Sequence, residues 1–199
     1  MKRGKKKRGL DLRKEYRECW KYLGKSKKFV WIAVGIFFAF VLVGYFVPAP
    51  EYLVEQVMKI FEDILAKTEG MSQGQLIRFL FWNNLKSSFF GIIFGILFGV
   101  FPVFVAIANG YVLGFVSEMS VSNFGVGSLL SLLPHGIFEL PAIFISLGIG
   151  LKLGTFVFQK DKQEFVRKDM LRILEIFLLI VIPLLVVAAI IEGSLIVLA

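Results

Sequence analysis

His135 and Glu139 stand four residues apart in the apolar string LPHGIFELPA, residues 133–142. His135 is the only histidine of the chain, and Glu139 is the only acid lying deep inside an apolar run. On a helix, residues four apart share one face. An imidazole that titrates near neutrality beside a carboxylate can pass a proton or hold a strong hydrogen bond. A charged carboxylate in hydrocarbon costs from about 2.5 to beyond 10 kcal/mol, so Glu139 must be protonated, paired or wet. Pro134 and Pro141 each remove a backbone donor and Gly136 adds freedom, which predicts a helix broken or kinked around His135. Such irregular backbone is tolerated in lipid only when buried in protein or lining a wet cavity. Two readings follow. The pair lines a proton or ion path, or it is a structural bond holding a broken helix together.

Other chemistry finds no residues. There is no His-Glu-x-x-His, no Gly-x-Ser-x-Gly and no glycine-rich nucleotide loop. One histidine does not serve both a nucleophile and a metal site. Cys19 is the only cysteine, so an internal disulfide and a cysteine-based metal site are both excluded. It reads as an ordinary reduced thiol, with palmitoylation as the rival. The expectation is a chain with no catalytic residue, no metal and no cofactor. Asn83 and Asn84 open an apolar stretch, where capping or interfacial solvation suits them. Asn109 lies inside another, so its amide needs a partner, for which the His135/Glu139 region is the expected place.

The elements that hold these residues are membrane elements. Apolar residues make up 57% of 199, mean hydropathy is +0.76, and there are 22 Phe. A soluble domain of this size cannot hide that surface, and the apolar runs reach the roughly 20 residues a bilayer crossing needs. The net charge of +8 is unevenly placed: 13 of 23 Lys and Arg fall in residues 1–28, and six more between Lys152 and Arg172. Basic blocks flanking apolar spans are what the positive-inside bias produces, so anionic lipid is the expected partner and nucleic acid is not.

Along the chain, residues 1–28 read as a basic cytoplasmic arm, with a short surface helix from Asp11 to Leu23. Phe29–Val47 is a first span with Trp31 and Tyr45 near its ends, a retained anchor rather than a cleaved signal peptide. Pro48 and Pro50 stop it. Residues 48–75 form an outer segment. Within it Leu53, Val57, Ile60, Phe61, Ile64 and Leu65 share one helical face, and five acids against two bases from Glu51 to Glu69 favour a protein surface over lipid. Residues 76–199 form the bundle. A second span ends near Pro102, a third runs to Met119, and an outer loop covers Glu118–Gly127. A fourth span covers Ser128–Leu151, with Glu139 near its middle, followed by a cytoplasmic loop at 152–172 and a fifth span, Ile173–Ile191. The predicted class is an all-α integral membrane protein of about five spans, the fourth broken, plus an outer amphipathic helix. The cell membrane is the expected location, with the N-terminus cytoplasmic and the C-terminus outside.

Gly91, Gly95 and Gly99 recur every fourth residue, and Gly110/Gly114 and Gly150/Gly154 repeat the spacing. Small residues at this interval flatten a helix face for close approach, within one chain or across a homodimer.

The Asn83-Asn84 pair, the glycine-rich second span, Asn109-Gly110 with Leu113-Gly114, and above all the LPHGIFELPA string with Gly148 and Gly150 resemble the stage II sporulation protein M family. The resemblance covers most of the chain from about residue 28. It implies a multi-span protein of the cytoplasmic membrane. In spore-forming bacteria the family's namesake works as an anchor or scaffold with two peptidoglycan-degrading partners during engulfment. Members also occur in organisms that do not sporulate, including archaea without peptidoglycan, so the family name does not set this chain's role. The resulting expectation is a non-enzymatic scaffold or assembly factor, homodimeric or bound to other membrane or extracytoplasmic proteins. The rival is a transporter or channel component built on the His135/Glu139 pair.

Overall fold

The computed structural model describes the backbone of residues 11–131 and 133–198, and their side chains except those of 131, 133–135, 166, 197 and 198. Seven α-helices follow in order: α1 (Leu12–Phe46), α2 (Glu51–Thr68), α3 (Gln73–Ile93), α4 (Val100–Phe124), α5 (Leu133–Gly154), α6 (Lys162–Ile176) and α7 (Ile182–Leu198). Among the described residues, four stretches are long and apolar enough to cross a membrane. They are α1, α4, residues 136–158 around α5, and residues 162–196 through α6 and α7.

The first helix is longer than the sequence predicts. Asp11 accepts a hydrogen bond from the Lys14 N–H at 3.2 Å and starts α1, which runs unbroken through the basic stretch and the apolar span to Phe46. Nothing between Leu23 and Phe29 interrupts the helical pattern, since Gly24 alone costs only about 1 kcal/mol. The basic arm is thus, from Leu12, the lower end of the first span.

The turn between the second and third apolar stretches lies at Leu97–Gly99, a few residues before its expected place at Phe101-Pro102. Phe98 and Gly99 take positive φ angles of 55° and 72°, a left-handed pair that reverses the chain. Glycine adopts this without penalty, and Phe98 does so at a cost of roughly 1–2 kcal/mol. Pro102 then falls in the first turn of α4, where a missing donor is no loss. The outer loop is shorter than expected, because α4 continues to Phe124 before Gly125, at φ 80°, ends it.

The expected break at Pro134–Pro141 is also corrected. Residues 126–131 coil as a 3-10 helix, and α5 then runs as one α-helix from Leu133 to Gly154 with Pro141 inside it. Pro134 sits in the first turn, where it removes no bond, and Pro141 removes one bond only. Residues 162–172, expected as loop, are helical from the Asp161 cap, whose carboxylate accepts from the Glu164 N–H at 3.0 Å. A π segment, Phe177–Val181, joins α6 to α7, ending two residues before Pro183. A widened turn there accommodates the donor that Pro183 lacks.

Two interfaces organise the bundle. α1 packs along α4, where Cβ atoms at Gly110 and Gly114 would run into the backbone of Phe37 and Val41. α3 packs between α5 and α7, parallel to the first and antiparallel to the second. The core gathers Ile92, Ala142, Ile149, Leu153, Ile173, Ile176 and Leu185 where α3, α5, α6 and α7 meet.

Candidate functional site

The seam between α3 and α5 carries the candidate site. A Cβ added at Gly95 would strike the Gly150 backbone, and one at Gly154 would strike Gly99. Gly95 lies in the 3-10 segment Phe94–Ile96 that continues α3 and Gly99 in the turn after it. A Cβ at Gly150 would strike the carbonyl of Gly91 on α3 itself, so the end of α3 and its continuation meet α5 main chain to main chain. Helices this close gain dispersion contacts that lipid does not supply. Five polar or charged residues are buried among those described, and four of them lie on these two helices: Asn84 and Ser88 on α3, Glu139 and Ser146 on α5. The contacts of Gly91 with Leu147 and Gly150 put Asn84 within about one turn of Glu139 along the seam.

Glu139 is 6% exposed. It stands six residues into α5, about 9 Å along the axis, nearer the helix start than the mid-span position expected. The shift follows from the 3-10 coiling of residues 126–131, which moves the centre of the helix to about Phe144. Ser146 satisfies itself on the Ala142 carbonyl at 2.8 Å, the usual i−4 bond of a buried helical hydroxyl. Ser88 Oγ has no hydrogen-bond partner among the described residues.

The remaining predicted residues separate. The side chains of Pro134 and His135 lie outside the described residues, though their backbone opens α5. Gly136 faces the Leu140 side chain, and the Pro141 ring is exposed. Asn83 is exposed on α3, opposite its buried neighbour Asn84. Asn109 does not reach across to Glu139. It is exposed, and its amide donates to the Val105 carbonyl of its own helix at 2.8 Å, which supplies the partner it needed. All the glycines singled out by spacing are spent inside the chain: Gly91, Gly95 and Gly99 against α5, Gly110 and Gly114 against α1. A dimer of this chain would need a different face.

A second polar cluster was not anticipated, because its residues read as basic arm and loop. Lys152, in the last turn of α5, lies 3.7 Å from the Asp169 carboxylate on α6 and 3.4 Å from the centroid of the Tyr22 ring on α1. One turn along α6, Arg172 bridges Glu15 of α1 at 3.1 Å and Glu175 at 2.5 Å. Three helix ends are tied by side chains of opposite sign. The acids Glu15, Asp169 and Glu175, spaced among the basic residues, were the signal for it. Two cavities, the larger of about 580 Å³, open beside this end around Phe156, Lys162, Gln163, Phe165 and Met170, and neither touches Glu139. No group of three His, Cys, Asp or Glu side chains placed to hold a metal occurs among the described residues.

Comparison with known proteins gives a family and two relatives. The family model described as stage II sporulation protein M matches residues 30–195. A Methanocaldococcus jannaschii protein, described as uncharacterized protein MJ0793, is 33% identical over 116 residues, 55% of this chain and 65% of that protein. The chain thus matches a little under two thirds of that relative's length. A second protein of the same organism, described as uncharacterized protein MJ0706, is 28% identical over 183 residues, 85% of this chain and 78% of the other. No solved structure matches.

Proposed function

The chain belongs to the stage II sporulation protein M family and is a multi-pass membrane protein, and on that premise we propose that it is a membrane scaffold or assembly factor without catalytic activity of its own. The observation that carries this reading is α2. It makes few close backbone approaches to the other described helices and buries Val57 alone, while it displays Tyr52, Ile60, Ile64 and Leu65, between 40% and 66% exposed. The apolar residues of α2 left exposed beside buried Val57 are a surface for another molecule, and the flanking acids disfavour an anionic lipid surface. In this reading the protein sits in the cytoplasmic membrane with the Lys152–Asp169 end inside. In the same reading α3 supplies a fifth crossing, a placement supported by its packing on α5 at Gly91 and on α7 at Ile77. Photo-crosslinkers at Ile60 and Leu65 in native membranes are expected to trap a second polypeptide. Recovery of uncrosslinked monomer alone would overturn the reading.

A transport role is the second reading, and the polar ladder Asn84–Ser88–Glu139–Ser146 favours it. Its test is pH-driven flux in proteoliposomes, expected to vanish in Glu139→Gln and in His135→Ala while the folded yield holds. An absence of flux, or flux indifferent to both substitutions, would remove it.

A further inference from the structure

α3, 21 residues long, is not apolar enough to qualify as a span by composition, and its polar residues divide between two faces. Asn84 and Ser88 point into the seam with α5. Arg78, Trp82, Asn83, Lys86, Phe89 and Phe90 are all exposed and occupy the opposite arc. No ion pair reaches Arg78 or Lys86 among the described residues.

The depth of Lys86 makes this face unsuited to lipid. Gly193 of α7 meets Ile77 of α3 in an antiparallel register, which puts Lys86 level with Leu184. Leu184 is at the centre of the uncharged run 176–191 that lies between Glu175 and Glu192. The contacts of Gly91 with Leu147 and Gly150 put Lys86 level with residues 142–145, beside the middle of α5. An ammonium there is about 15 Å from either headgroup region, beyond the roughly 6 Å a lysine can stretch. Exposed to acyl chains it costs at least about 2.5 kcal/mol.

A second copy of the chain does not cover it. Two copies inserted in the same sense meet at equal depth, and the one carboxylate near that level, Glu139, is 6% exposed in its own bundle. Two α3 helices face to face would set Lys86 against Lys86. We propose that the outward face of α3 docks a transmembrane helix of a different polypeptide that carries an Asp or Glu at mid-bilayer depth. The carboxylate pairs with Lys86, Asn83 bonds the partner's remaining polar groups, and Trp82 and Phe90 pack its flanks. The inference rests on the scaffold reading and names the chemistry of the partner.

The test uses the full chain in phosphatidylcholine liposomes, with Cys19→Ser and a donor dye on Gln159→Cys. The probes are acceptor-labelled 23-residue leucine-rich transmembrane peptides with a single central Glu, Gln or Lys. The Glu peptide is expected to associate about tenfold more tightly than the Gln peptide. Lys86→Gln is expected to erase that difference, and Lys86→Glu to transfer the preference to the Lys peptide. Equal binding of the Glu and Gln peptides overturns the proposal. So do disulfide-linked copies of Asn83→Cys, which put a second copy on the face, and reaction of Lys86→Cys with a membrane-impermeant thiol reagent, which puts water there. Failure here while α2 still crosslinks a partner removes this face alone. Failure of the α2 crosslink removes the scaffold reading instead.

Discussion

Gly95 and Gly154 each leave room for no side chain, because the backbone of Gly150 and of the turn at Phe98–Gly99 respectively occupies the space where a Cβ would go. Gly91 differs: a Cβ there meets only the tip of the Leu147 side chain, at 3.0 Å. Gly95→Ala is therefore expected to cost about 1–3 kcal/mol, and Gly91→Ala less than about 1 kcal/mol, read as midpoint shifts in detergent melting. Equal effects would mean the seam is looser than main-chain contact. Asn109→Ala belongs with the mild substitutions, since the amide serves only its own helix and its loss is worth about 1 kcal/mol or less.

At the scale of elements, side chains of opposite sign tie α1, α5 and α6 together. The Lys152 and Asp169 side chains are 16% and 17% exposed, so their coupling exceeds that of a solvated pair. A double-mutant cycle of Lys152→Met and Asp169→Asn is expected to give about 1 kcal/mol, with faster hydrogen exchange along α6 in either single variant. Zero coupling would reduce the pair to coincidence. The apolar runs announced the membrane helices, because twenty residues without charge have no soluble alternative. Glu139 was legible as the buried acid, and the glycine intervals were legible as flat faces. Their destination was not, since spacing describes one face and says nothing of which helix meets it. The unbroken α5 was hidden for a related reason. A proline's effect depends on its position within the turn, and the start of α5 is set by the coiling of residues 126–131. Ser88 and Ser146 give no signal in the sequence because an isolated serine is common on any helix; only the packing of α3 on α5 buries both in one region.

For the whole molecule, the number of crossings decides which side each connection occupies. With α3 as a crossing, Glu69→Cys is expected to react with an impermeant reagent from outside the cell and Gln159→Cys only from inside, in a Cys19→Ser background. Labelling of both from one side would take α3 out of the membrane. The pairing of α1 with α4, and of α3 with α5 and α7, bears on how the chain is made. α1 and α3 leave the insertion machinery before their main partners exist. α3 carries Asn84 and Ser88 toward a seam whose other wall ends 61 residues later, at Gly154. At about 5–20 residues per second, that is a wait of roughly 3–12 s. During that interval α3 lacks the α5 and α7 neighbours that bury its polar side chains. It must idle at the translocon or the interface, and enter the bilayer only when α5 arrives to receive it.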